Sequence, residues 1–352
     1  MASEPDISSR KLDHLELCAT DAVAFRERTT LFEHVRFVHD ALPDLALDEI
    51  DTSVTVMGKK LRAPILVAGM TGGHERATQV NRALARIAEA RGYAFGLGSQ
   101  RAMFVDPKKA ETYRVRDVAP NVLLLGNVGV VQASQMTTAE VESLVREVGA
   151  DALCLHMNPA QELVQPGGDR DFRGGLETFR RLAGELSVPV VAKETGAGIG
   201  APTARRLAQV GVRFADTSGA GGTSWVGVET LRAQGKAREL GEALWDWGIP
   251  TAASVIHCVG AGLTTFATGG ISSGLDVARA VALGASAAGI ARAALMAFTE
   301  GGDEGANAFF ERVENELRAV MLLVGAKNVR ALREAPRMIT GELREWAALA
   351  SR

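Results

Sequence analysis

Cysteine is scarce in this chain. Cys18, Cys154 and Cys258 are three among 352 residues, odd in number and widely spaced. That pattern excludes a disulfide framework and fits a reducing compartment. Proline is sparse too, at 11 residues, and there is no proline-rich linker, low-complexity tract or fixed-period repeat. Neither a string of tethered modules nor a solenoid is expected. A long basic run is also missing, and the formal net charge is −3 with a sequence pI of about 6.1. Nucleic acid or membrane binding through global charge is therefore not expected, and an anionic ligand has to be held by a local site. The opening MASEPDISSRKLDHL is acidic and polar, without the apolar core of a signal peptide. No uninterrupted apolar stretch reaches membrane-spanning length. These absences predict a cytoplasmic protein.

What is present is ordinary globular material, 47% apolar and 23% charged, enough for a large core. Short apolar runs alternate with amphipathic, charged stretches. The runs are 63–68, 94–97, 122–126, 152–156, 189–193, 214–217, 264–268 and 287–290. They read as buried parallel strands. Helical patterns separate them at 76–91, 138–148, 176–186, 202–210 and 275–283. This alternation predicts an α/β chain of one domain overall, a (β/α)8 TIM barrel in preference to an open doubly wound sheet. Residues 1–60 form an N-terminal extension that caps the barrel or lends an arm to the site. The barrel spans 61–300, and C-terminal helices at 305–324 and 341–349 pack on it within 301–352. The stretch 226–261 exceeds one crossover and is expected to hold two helices, broken near Gly248-Ile249-Pro250.

Barrel active sites lie where strands end and βα loops begin. The seventh strand runs into Gly269-Gly270-Ile271-Ser272-Ser273-Gly274, a glycine-rich turn opening a helix. Free backbone N–H groups and the helix dipole make such a turn a phosphate cradle, to which Arg292 after the eighth strand adds charge. Tight turns needing positive φ are the plainer reading. Lys193 closes the apolar run Pro189-Val190-Val191-Ala192, so its ammonium should enter the barrel mouth and needs an anionic partner. A flavin edge that becomes anionic on reduction, a Schiff base and an ion pair with Glu194 are all open. Gln161-Glu162 follows the fourth strand. A carboxylate beside a neutral amide suits a Mg²⁺-bound diphosphate, while Asn158-Pro159 also reads as a simple helix start. Arg101 follows the second strand and could reach a phosphate. Arg10 and Lys11 by themselves read as a solvated pair. His14, His74 and His156 have no metal-ligand spacing. His156 ends the fourth strand as a site or packing residue, and Cys154 is core.

These blocks form a pattern. Arg10-Lys11 with Asp13-His14-Leu15, VHDALP at 38–43, Met70-Thr71-Gly72-Gly73, Ser99-Gln100-Arg101, His156 to Glu162, and Gly269-Gly270-Ile271 with Gly274 resemble, in order, the type 2 isopentenyl diphosphate isomerases. The resemblance implies an FMN-dependent barrel that uses reduced flavin, Mg²⁺ and NADPH as the flavin's reductant. It implies a small-molecule diphosphate substrate and a homo-oligomer, tetramer or octamer. FMN would contact Met70, Thr71, Gly72, Ser99, Asn127, Lys193, Ser218, Thr223, Gly270, Gly274, Ala291 and Arg292. Substrate would contact Arg10, Lys11, Ser99, Gln100, Arg101 and Gln161, and Glu162 would hold Mg²⁺. Two loops depart from the family pattern. The one after Lys193 lacks the usual aromatic and terminal serine, and the one after Glu162 reads Pro166-Gly167-Gly168-Asp169 in place of Pro-Glu-Gly-Asp.

Moving a double bond adds one proton and removes another without net redox change. No pair of acidic and basic side chains fits that task, so the flavin is expected to act as acid–base catalyst, with Gln161 and His156 as the nearest catalytic candidates. An FMN-dependent α-hydroxy-acid oxidase or dehydrogenase shares the barrel but wants a histidine and arginine near the sixth loop, which here is Ser218-Gly219-Ala220-Gly221-Gly222-Thr223. An inosine-monophosphate-dehydrogenase-like enzyme wants a cysteine there. A non-catalytic flavin-binding protein would have no use for Gln161 and Glu162.

Overall fold

Alternation along the strands decides the architecture. Leu123 and Leu125 point into a common interior with Leu66, Ala94, Ala152, Cys154, Val191, Phe266 and Ala287. Leu124, Val67, Phe95, Leu153, Leu155, Ala192 and Ala288 point outward into the layer beneath the helices. In the computed structural model, which describes residues 7–350 and the side chains from residue 11 onward except Leu12, these segments close into an eight-stranded parallel barrel. The strands are β1 (Ile65–Val67), β2 (Ala94–Gly96), β3 (Leu123–Gly129), β4 (Ala152–Met157), β5 (Val190–Glu194), β6 (Phe214–Asp216), β7 (Thr264–Thr268) and β8 (Ala287–Ile290). Closure is made by Ala288, Gly289 and Ile290 of β8 pairing with Ile65, Leu66 and Val67 of β1. The interior is a packed core rather than a pore.

The segment before β1 seals one end of the barrel. A hairpin of Val54–Val56 and Lys59–Leu61 drives Val56 and Leu61 into the interior cluster. The helix Thr138–Val148 shows how crossovers are bounded. Thr137 and Glu140 form a capping box at its start, and Gly149 at φ 64° ends it in the left-handed conformation that glycine adopts without penalty.

Two expectations about helices change. The stretch 226–261 holds three helices, Trp225–Arg232, Gly235–Ala243 and Thr251–Gly260. The break before Pro250 stands, and a second lies at Ala233-Gln234, where the chain turns through Gly235 at φ 55°. The C-terminal helix starts directly after β8 and runs Arg292–Leu323, interrupted only at Gly302 (φ 61°, ψ −150°). The helix expected at 305–324 is thus the second part of a longer one, beyond the kink at Gly302. Among the described residues, no helix is long and apolar enough to cross a membrane.

Candidate active site

A cavity of about 450 Å³ opens at the carboxyl ends of the strands and is roofed by the helix Ile7–Cys18 of the N-terminal arm. Each loop contributes to its wall: Met70 and Thr71 after β1, Ser99 and Arg101 after β2, Asn127 on β3, and His156, Gln161 and Glu162 on and after β4. Lys193, Ser218 and Thr223, Gly270, and Ala291 with Arg292 continue it through β5 to β8, and Lys11 reaches it from the arm. Arg10 lies in the arm helix, and its side chain is outside the described residues.

Three expected contacts point elsewhere. Gln100 is fully buried. Its Oε1 accepts from the Asn127 N–H at 2.8 Å and its Nε2 donates to the Leu144 carbonyl at 2.9 Å. It braces β3 and does not face the cavity. Gly72 packs against the Tyr113 ring, into which a Cβ would project. Gly274 faces the C-terminal helix at Val313 and Leu317, and its N–H donates to the Glu316 carboxylate at 2.7 Å. That bond also alters the phosphate argument. The helix after β7 already has Glu316 and Asp276 at its N-terminus. The first N–H groups of the helix opening at Arg292 have no intrahelical partner, and Arg292 and Ala293 line the cavity. Together with the Gly270-Ile271-Ser272 backbone they form the better anion cradle.

Lys193 is an ion-paired lysine, but not with Glu194. Its Nζ lies 3.0 Å from Asp216 Oδ2, and both side chains are buried. Glu194 points to the other face of β5, as the two-residue period of a strand requires. His156 Nδ1 lies 2.8 Å from Asn127 Oδ1, while Asn127 Nδ2 donates to the Leu97 carbonyl at 3.2 Å. His156 therefore donates from Nδ1, leaving Nε2 with a lone pair. Burial, with Lys11, Lys193 and Arg101 nearby, holds its pKa down at about 3. At that value the ring is neutral near neutral pH, with Nε2 free to accept.

Glu162 is buried in the wall. Its Oε1 accepts from Asn158 Nδ2 at 2.8 Å, and its Oε2 accepts from the Asp169 N–H at 2.8 Å and Gln165 Nε2 at 3.2 Å. Among the described residues no group of three or more His, Cys, Asp or Glu side chains is set to hold a metal. A cation here would rest on one carboxylate plus its ligand's oxygens, which is Mg²⁺ behaviour.

Sequence reasoning missed the network behind Gln161. Gln161 Nε2 donates to Glu229 Oε1 at 3.2 Å, and the same oxygen lies 2.9 Å from His14 Nε2. Arg232 Nη1 donates to Glu229 Oε2 at 2.7 Å and its Nε to Asp13 Oδ2 at 3.0 Å. Burial pushes the Glu229 carboxyl up, but His14, Arg232 and Gln161 outweigh it and hold the pKa below the usual value. Burial likewise holds His14 below its usual value against the pull of Glu229. His14 thus donates from Nε2 to a carboxylate. The only local signal for Glu229 is a carboxylate inside the otherwise apolar Trp225 to Thr230 run.

With this geometry in hand, likeness to known proteins gains meaning. A family model described as FMN-dependent dehydrogenase matches residues 4–157 and 175–338. An isopentenyl-diphosphate delta-isomerase of Methanosarcina mazei is 44% identical over 344 residues, 96% of this chain and 94% of that protein. One from Methanothermobacter thermautotrophicus is 44% identical over 342 residues, covering 97% and 95%. A solved lactate oxidase of Pediococcus acidilactici superposes with a TM-score of 0.68 at 16% identity, covering 95% and 93%. A mandelate oxidase mutant with a monooxide FMN adduct gives 0.63 at 19%, covering 92% of each chain. At such identities these two show a shared fold and no more.

Proposed function

Since the chain belongs to the isopentenyl-diphosphate delta-isomerase family, within the wider FMN-dependent dehydrogenase family, we propose that it converts isopentenyl diphosphate to dimethylallyl diphosphate using reduced FMN and Mg²⁺. The observation that carries this reading is the placement of Gln161 and Glu162 side by side in the cavity wall, with Glu229 hydrogen-bonded behind Gln161.

The residues present suit FMN. Thr71 Oγ1 is buried on the cavity wall with no hydrogen-bond partner, so the site holds a polar group awaiting one. The Gly270 backbone and the open end of the Arg292 helix suit a single phosphate, and Lys193 suits the edge of the ring that gains charge on reduction. When bound and reduced, FMN supplies an electron-rich ring whose N5 gives and takes a proton beside developing positive charge. The chain's own groups do the remaining work. Lys11 and Arg101 bind the diphosphate, and Glu162 holds Mg²⁺ against it. Gln161 has an amide that does not ionise near neutral pH. It orients the hydrocarbon end of the substrate and connects the cavity to the Glu229 carboxylate, whose ionised form His14, Arg232 and Gln161 stabilise. His156 offers only an acceptor at Nε2. NADPH as the source of reducing electrons, and a tetramer or octamer, belong to the same reading.

The test is an anaerobic assay on isopentenyl diphosphate with flavin reduced by dithionite. Product should form with Mg²⁺ and stop on chelation. If reduced protein with Mg²⁺ yields no dimethylallyl diphosphate but oxidises α-hydroxy acids, the reading is wrong.

A further inference from the structure

Glu194 is a buried carboxylate that the reading above leaves without a task. It ends β5 on the face opposite Lys193. Its Oε2 accepts four consecutive backbone N–H groups: Thr195 and Gly196 at 2.7 Å each, Ala197, and Gly198 at 3.0 Å. Its Oε1 has no hydrogen-bond partner among the described residues. Among the described residues no lysine, arginine or histidine forms an ion pair with Glu194. One carboxylate oxygen therefore folds the whole turn after β5.

That turn touches the cavity wall at several points. Thr195 and Gly196 line the cavity themselves. The Gly198 N–H donates to the Ser218 carbonyl at 3.2 Å, and the Ile249 N–H donates to the Ala197 carbonyl at 2.9 Å. Gly196 packs so closely that a Cβ would lie 3.1 Å from the Thr223 carbonyl. Ser218 is a non-glycine residue at φ 33°, a left-handed conformation that persists only where neighbours enforce it. Its N–H is held by Thr268 Oγ1 at 2.8 Å, and its carbonyl by the turn that Glu194 folds. Behind the turn lies a narrow pocket of about 10 Å³ that Glu194 shares with Gln161, Trp225 and Trp247, and among the described residues Glu194 is the sole ionisable one lining it. Glu229 lies beyond Gln161, hydrogen-bonded to its amide, and the Lys193–Asp216 pair lies on the other face of β5.

We propose that Glu194 is a positioning residue: through the turn after β5 it holds Ser218 and Thr223 against the flavin and supports Gln161 from behind. Burial pushes its carboxyl up to about 7 in spite of the four N–H bonds. A folded-state value above the ordinary 4.5 means that stability is fully present below 4.5 and is lost as pH rises toward 7. A buried charge kept at such a cost points to a role other than stability.

The inference rests on the FMN-site reading, and Glu194→Gln tests it at pH 8, with Glu194→Ala beside it. Glutamine keeps the size and one acceptor oxygen but removes the charge. We expect Glu194→Gln to melt as high as the wild type or higher, yet to bind FMN at least about tenfold more weakly by flavin fluorescence and to turn over about tenfold more slowly. The alanine variant should be worse in FMN binding. A Glu194→Gln protein that loses melting temperature and FMN affinity in parallel marks a plain structural role and overturns the proposal. So does one with wild-type FMN affinity and flavin spectrum. If the wild type itself binds no FMN, the functional reading fails first, and the two failures are told apart by that control.

Discussion

At the scale of single residues, charge state decides what each side chain is able to do. Glu162 has both oxygens committed to neutral donors, which fixes its orientation and leaves its charge for a cation. Glu162→Gln should raise the Mg²⁺ concentration needed for half-maximal turnover by about tenfold or more while FMN affinity, read by fluorescence titration, stays within about twofold. A variant that loses FMN and keeps its Mg²⁺ dependence would remove the metal from this position. His156 gives a different kind of prediction. Its folded-state pKa of about 3 lies below the ordinary 6.5. The unfolded chain thus takes up the proton first, so stability is intact above 6.5 and falls as pH drops from there toward 3. Between pH 6.5 and 5 this one group should cost about 2 kcal/mol. In His156→Gln that contribution is gone, and chemical denaturation at pH 7.5 and 5 should show the variant losing less stability than the wild type. Equal losses in both would mean that His156 takes up its proton as readily in the folded protein as in the unfolded chain.

At the scale of elements, loops after β6 and β7 depend on the N-terminal arm. Gly221 sits at φ 107°, and a Cβ there would collide with the Thr29 and Thr30 backbone. Ala252 N–H donates to the Thr30 carbonyl at 3.0 Å and Ser224 N–H to the Val23 carbonyl at 2.8 Å, both between β6 and β7, and Thr30 also packs against Gly270 after β7, so the arm ties the two loops together. Gly221→Ala should destabilise the fold by roughly 2 kcal/mol and weaken FMN binding more than tenfold, read by thermal melting and flavin titration. Unchanged FMN affinity would mean that the arm is not part of the site's support. The barrel strands were readable because each is a short apolar run, most of them stopped by glycine or a polar residue, and β-branched or small residues repeat on both faces. The second break in 226–261 was not, because Ala233-Gln234 carries no proline. Ser99, Gln100 and Arg101 read as one block, yet Gln100 sits at the start of the short helix Arg101–Val105 and its side chain turns back to the β3 backbone while its neighbours face the cavity. The His14–Glu229 pair is 215 residues apart in sequence. No local spacing announces such a contact, since it depends on the arm folding back over the barrel mouth.

At the scale of the whole molecule, the arm, the fourth loop and the sixth loop meet at Gln161, and this junction makes the chemistry testable as one system. Gln161 lies between the cavity and Glu229, and Glu229 is itself held by His14 of the arm and by Arg232. If a proton moves between this network and the substrate while the flavin acts as acid and base, no electrons leave the protein. Reduced enzyme should then turn over many times with no net loss of reductant, and the oxidised form should be inactive. If the proton added to carbon comes from a group that exchanges with water, then in deuterium oxide the label should enter product at carbon, measured by mass spectrometry. Gln161→Ala removes the hydrogen bond to Glu229 but leaves Lys193, Thr71 and the phosphate cradle in place. Turnover should drop by roughly 10²–10⁴, the range of a positioned proton-transfer group, with a much smaller change in FMN affinity. Oxidised enzyme that isomerises at full rate, or reductant consumed one for one with product, would defeat the flavin acid–base account. Normal turnover in Gln161→Ala would leave the reaction standing and transfer the relay to another group. His156, neutral and an acceptor only at Nε2, is the first to examine by a double substitution.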